Sequence, residues 1–135
     1  RPIIMSTIKV GTLLAANGNT TTEPSIPALD KRMSKAWVNF NGETTGNNTI
    51  RASYNVSSCT DHGGSEHTIN FAAAMTDANY CISGLVQQAS NFTNWGYSVN
   101  PKGATPTTGA VRVKVANDAN TAIDCYWITI VITGN

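Results

Sequence analysis

Residues 35–58 read KAWVNFNGETTGNNTIRASYNVSS, and their apolar and polar positions alternate. Ala36, Val38 and Phe40 share one parity, while Trp37 and Asn39 take the other. Past a polar loop, Ile50, Ala52, Tyr54 and Val56 share a parity against Arg51, Ser53 and Asn55. Successive side chains of a strand point to opposite faces, so this pattern predicts an antiparallel hairpin with one buried face. Its loop holds Asn41-Gly42 and Gly46-Asn47-Asn48, residue types that tolerate positive φ where a chain reverses.

The same rule predicts four more strands. Residues 68–72 place Ile69 and Phe71 inward, and residues 80–86 set Tyr80, Ile82 and Val86 against Cys81, Ser83 and Leu85. Residues 111–115 alternate Val with Arg and Lys, and residues 123–133 close the chain. Gly84, inside a strand, predicts a bulge or a close backbone approach. Turns are expected over 60–65, over 75–79 around Asp77, and over 117–120. Residues 87–109 are the least regular stretch, carrying Pro101, Pro106, Phe92, Trp95 and Tyr97. A connection that long is functional or conceals a short hairpin. Short strands joined by turns, without a long helical pattern, predict an all-β fold: an antiparallel, jelly-roll-like β-sandwich.

The closing strand differs from the others. Tyr126, Ile128, Ile130 and Ile132 fall on one face, and Cys125, Trp127 and Val131 with Thr129 on the other. A two-layer sandwich leaves one of these apolar faces wet. Covering roughly 300–400 Å² at about 25 cal/mol per Å² is worth roughly 8–10 kcal/mol before entropy costs. Burial between copies of the chain is the expected resolution, with Trp127, Ile128 and Ile130 at the subunit interface. The competing resolution covers the strand with the chain's own amino-terminal segment.

Composition supports the all-β reading. Asn and Thr supply 33 of 135 positions, 15 Asn and 18 Thr, while only 13% of residues are charged. Thr suits strands and Asn suits turns. A net charge of +1 with scattered basic residues predicts no nucleic-acid partner. No apolar run approaches the roughly 20 residues of a spanning helix, so no membrane insertion is expected. Cys59, Cys81 and Cys125 are odd in number and lack metal-binding spacing, which predicts free thiols and no cofactor. Residues 1–34 read as an extended arm with its own texture, marked by Pro24 and Pro27 and by a natural-looking start at Met5. Residues 35–135 form the sandwich domain.

Three motifs, KAWVNFNG, TIRASYNVSS and TINFAAAMTDANYCISG, occur in close order over residues 35–84. Together they resemble the C-terminal, receptor-binding tip domain of bacteriophage tail fibres and related small virion proteins. The resemblance implies a parallel homotrimer displayed on the virion, assembled in the bacterial cytoplasm, whose loops meet the host surface. It implies attachment to a host glycan or protein, with residues 5–35 contacting other virion proteins. The alternative is a head or tail decoration or connector protein that binds no receptor.

Candidate chemistry is sparse. Segment 61–67, DHGGSEH, carries both histidines, His62 and His67, beside Asp61 and Glu66. A metal site needs three or four ligands with support behind them, and the segment reads as a solvated polar turn. Asp77, Asp118 and Asp124 stand isolated, and neither a nucleophile elbow nor a phosphate loop occurs, so no enzymatic activity is expected. Binding is the better expectation. Asn94, Trp95 and Tyr97 set aromatic rings among amides, which suits a sugar, and Lys102 suits an anionic group.

Overall fold

The computed structural model describes residues 33–88, 98–101, 105–116 and 121–134. The arm up to residue 32 and the candidate binding residues Asn94, Trp95, Tyr97 and Lys102 lie outside the described residues. The described chain is all-β, with eight strands: β1 (Ser34–Asn41), β2 (Thr49–Tyr54), β3 (Val56–Asp61), β4 (Glu66–Phe71), β5 (Cys81–Gln87), β6 (Ser98–Pro101), β7 (Ala110–Ala116) and β8 (Trp127–Thr133). They form two four-stranded antiparallel sheets, β2-β1-β8-β5 and β3-β4-β7-β6. The first sheet packs on the second as a sandwich. At its edges β2 lies beside β3 and β5 beside β6. The order around the wrap is therefore β1-β2-β3-β4-β7-β6-β5-β8, and the first and last strands meet as neighbours.

Alternation explains the core. Ala36, Val38 and Phe40 of β1 and Ile128, Ile130 and Ile132 of β8 face Ile69, Val111, Val113 and Val115 of the opposite sheet, all buried. Such close-packed apolar layers supply most of the driving force for folding. Tyr80, Phe71 and Met75 close one end, where the Tyr80 hydroxyl donates to the carbonyls of Thr107 (2.9 Å) and Ala110 (3.2 Å). Gly84 is indeed a close approach. A Cβ there would stand 2.8 Å from the Thr129 carbonyl oxygen and 3.1 Å from Val99 of β6.

The second half of the expected hairpin departs from the reading. β2 ends at Tyr54, and Val56 begins β3 in the other sheet, because Asn55 adopts φ 52° and turns the chain. Its side chain donates to the carbonyls of Lys35 (3.0 Å) and Ala73 (3.2 Å) and accepts from the Ala73 amide (2.7 Å). Asn is among the few residues that reach this conformation at low cost. The expected common face of Ile50, Ala52 and Tyr54 also breaks. Phe40 pairs with Ile50 but Asn39 pairs with Ala52, so Arg51 is an extra residue in the ladder. The bulge flips the parity, and Ala52 and Tyr54 turn outward.

The closing strand is corrected as well. Ile128 and Ile130, expected at a subunit interface, are fully buried in the single chain because the opposite sheet covers them. Regular strand begins only at Trp127, so the parity expected for residues 125 and 126 is lost: Cys125 is buried and Tyr126 exposed. The Cys125 carbonyl accepts from Gly42 N–H (2.9 Å), and Tyr126 N–H donates to Gln88 (2.9 Å).

Candidate functional site

The sandwich has two distinct ends. At one, Ser34 opens β1 opposite Thr133 of β8, and Cys81 opens β5 against the same residue. At the other end lie the β1–β2 loop, the β3–β4 turn and residues 121–126. Gln88, bonded to Tyr126, and Ser98, opposite Ala116, sit at this loop end too. They bracket residues 89–97, which include Asn94, Trp95 and Tyr97. Pro101, just before Lys102, pairs with Val113, so β6 is by then heading back toward the first end.

The loop end holds a polar cluster built around segment 61–67, which the sequence marks as candidate chemistry, but joined by Asn48 and Asp124, which it does not connect to that segment. Segment 61–67 was expected to be solvated throughout, yet His67 is 0% exposed. Its position follows from β4 parity: His67, Ile69 and Phe71 share the inward face. His67 packs edge-on against Phe40, with centroids 5.3 Å apart. Its Nδ1 lies 2.9 Å from Asn48 Oδ1 and 3.7 Å from Asp61 Oδ1. The Asn48 amide is itself oriented, since its Nδ2 donates to the Thr44 carbonyl at 2.7 Å. Its oxygen must therefore face the ring, and Nδ1–H donates to it.

Burial holds His67 below the ordinary histidine pKa of 6.5, with Asp61 and Asp124 pulling the other way and His62 adding to the fall. Asp124, distant in sequence, arrives because residues 121–126 fold back over the turn. Its Oδ1 accepts from the buried Ser65 hydroxyl at 3.1 Å. The turn itself is tight: Gly63, Gly64 and Ser65 all have positive φ, and Gly63 N–H caps Asp61 Oδ1 at 3.0 Å. His62, by contrast, is exposed and bonds Thr68 Oγ1 at 2.8 Å. The sequence signals for this cluster were the proximity of Asp61 and His67 in segment 61–67 and the inward parity that His67 shares with Ile69 and Phe71.

Two buried thiols flank the core. Desolvation pushes Cys59 up to about 12, and burial, then the Asp124 and Glu43 charges, push Cys125 up to about 11. Both shifts oppose thiolate formation near neutrality, the opposite of what activates a cysteine nucleophile.

A second feature occupies the outer face of the β2-β1-β8-β5 sheet. Trp37 (37% exposed), Tyr54, Trp127 (40%) and Leu85 (79%) stand on its solvent side. Trp37 and Tyr54 are cross-strand partners. Arg51, projected by the bulge, lies 4.5 Å from the centroids of both Tyr126 and Trp127, and its guanidinium donates to the Tyr126 carbonyl at 2.8 Å. Of the three residues expected at a subunit interface, Trp127 alone lies on this face. Compared with the models of known protein families, with curated proteins and with solved structures, the chain matches none.

Proposed function

We propose that this chain is a virion structural protein of the phage tail-fibre type, a homotrimer that attaches the particle to a glycan on the host surface and carries no enzymatic activity. The observation that carries this reading is the polarity of the sandwich. The arm enters at the end where β1 begins, and the residues bracketing the candidate sugar loop sit at the opposite end. An attachment protein requires that separation of tether from receptor contact. The three fibre-like motifs also fall on consecutive framework: β1, then β2 with β3, then β4 through β5.

Trimerisation draws its support from the outer face of the β2-β1-β8-β5 sheet. Trp37, Trp127 and Leu85 form an apolar wall of the kind that marks association surfaces. Threefold packing would cover that wall while leaving all three loop ends pointing the same way. In the virion, residues 5–35 tie the trimer to other particle proteins.

Light scattering of the purified chain should give three times the 14.3 kDa chain mass. Purified protein should compete with particles for adsorption to host cells, and Trp95→Ala should lose that competition while keeping the mass. A monomeric mass removes the trimer. Undiminished competition by Trp95→Ala removes the sugar loop, and failure of the unmodified protein to compete favours a decoration or connector protein.

A further inference from the structure

We propose that residues 121–126 form an acid-released strap: a proton on His67 frees them from the loop end while both sheets stay folded. The strap is irregular chain ahead of β8, with one isolated bridge, Ala122 to Ala116. Separate bonds hold the rest of it. The Cys125 carbonyl accepts from Gly42 N–H (2.9 Å), and Tyr126 N–H donates to the Gln88 carbonyl (2.9 Å). The Tyr126 carbonyl accepts from Arg51 (2.8 Å), and Asp124 Oδ1 from the Ser65 hydroxyl (3.1 Å). His67, by contrast, belongs to β4, which is laddered to β3 on one flank and β7 on the other. A segment tied by a few separate contacts opens at lower cost than a strand paired on both sides.

The trigger is the second ring nitrogen. Nδ1–H already donates to Asn48 Oδ1, so an added proton enters at Nε2. That atom is buried and has no hydrogen-bond partner among the described residues. A Cβ on Gly42 would stand 3.3 Å from Nε2 and 2.8 Å from the Cys125 carbonyl oxygen, which puts Gly42 and the strap beside this nitrogen. Protonation would leave a buried charge and an unanswered donor there, a costly combination. Lifting the strap admits water to Nε2 and removes that cost.

The groups around the ring leave this balance in place. Asp61 at the end of β3, 3.7 Å from Nδ1, and Asp124 on the strap favour the cation, and His62 in the turn opposes it. Burial outweighs the two carboxylates and holds the folded ring below 6.5. Glu66, beside His67 on β4, faces the other way and pairs with Arg112 at 2.7 Å. The β1–β2 loop carries Glu43, whose charge bears on Cys125. β1 meets the ring with Phe40, and β7 pairs with it through Val113, neither of them charged. The closed strap therefore favours the neutral ring, and the open one returns it to about 6.5. Acid below that value shifts the population toward the open strap. This inference stands apart from the attachment reading and needs no part of it.

The chain carries its own reporters: Cys125 is buried in the strap, Cys59 is buried in β3, and Cys81 is exposed. The test labels the full chain with 4,4′-dithiodipyridine, a thiol reagent that works in acid, in steps from about pH 7.5 to about pH 5. Peptide mass spectrometry reads each site as a ratio to Cys81. Cys125 labelling should rise roughly tenfold or more across that range while Cys59 stays protected. The midpoint of the rise should coincide with the titration of the His67 ring resonances, and His67→Gln, which has no ring to titrate, should abolish it. The strap is overturned by absence of a rise, by Cys59 rising together with Cys125, or by a rise that persists in folded His67→Gln. A midpoint that departs from the His67 titration in the unmodified chain overturns it too, whether or not the variant folds.

Discussion

Gly42 shows how little room the loop end leaves. A Cβ there would stand 2.5 Å from Ile128 Cδ1 and 2.8 Å from the Cys125 carbonyl oxygen, and only the side chain could step aside cheaply. Gly42→Ala should therefore cost about 1–3 kcal/mol, read as a lower urea midpoint at unchanged slope. His67 makes a second prediction. Its folded pKa lies below the unfolded value of about 6.5, so the unfolded chain binds the proton more readily in the window between them. Its contribution is complete above pH 6.5 and is lost as pH falls from there toward the folded value. The urea midpoint should drop between pH 7.5 and 5.5, and His67→Gln should flatten that slope. The thiols make a third. At pH 8 a disulfide reagent should leave Cys59 and Cys125 untouched in the folded chain, reach at most the exposed Cys81, and titrate all three after denaturation. Residue-scale chemistry was the least legible part of the sequence. The inward position of His67 followed from β-strand parity, but its meeting with Asp124 depends on a long-range fold-back that no local spacing records.

Elements read more clearly wherever a strand runs straight. The parities of β1, β4, β5 and β7 follow the sequence alternation, and the close approach at Gly84 was visible from the glycine itself. The corner at Asn55 and the bulge at Arg51 were hidden, because alternation continues unbroken through both in the sequence. Asn55 is the hinge on which the two sheets divide, holding a left-handed φ while bonding both Lys35 and Ala73. Asn55→Ala forfeits the bonds and strains the backbone, for a loss of about 2 kcal/mol. Asn55→Gly keeps the backbone free and should lose less. Chemical denaturation of the two variants side by side tests that order.

At the scale of the whole molecule, the all-β sandwich was legible from composition and turn spacing together, whereas the assignment of interface residues was not. Parity alone could not say which face of β8 the opposite sheet would cover; Ile128 and Ile130 went inward and left Trp127 outside. If copies associate through the outer wall, a charge placed there should prevent it without unfolding the chain. Trp127→Asp combined with Leu85→Asp should keep the β-sheet circular dichroism and scatter light as a 14.3 kDa particle. The pairing of β1 with β8 carries a mechanical corollary. If the chain is the attachment protein proposed above, tension between a host contact at the far tip and an amino-terminal tether would run lengthwise through β1, which is laddered on both flanks. Sliding such a strand out means rupturing both rows of hydrogen bonds together instead of unzipping them singly, so a particle tugging on its host would load this sandwich along its toughest direction.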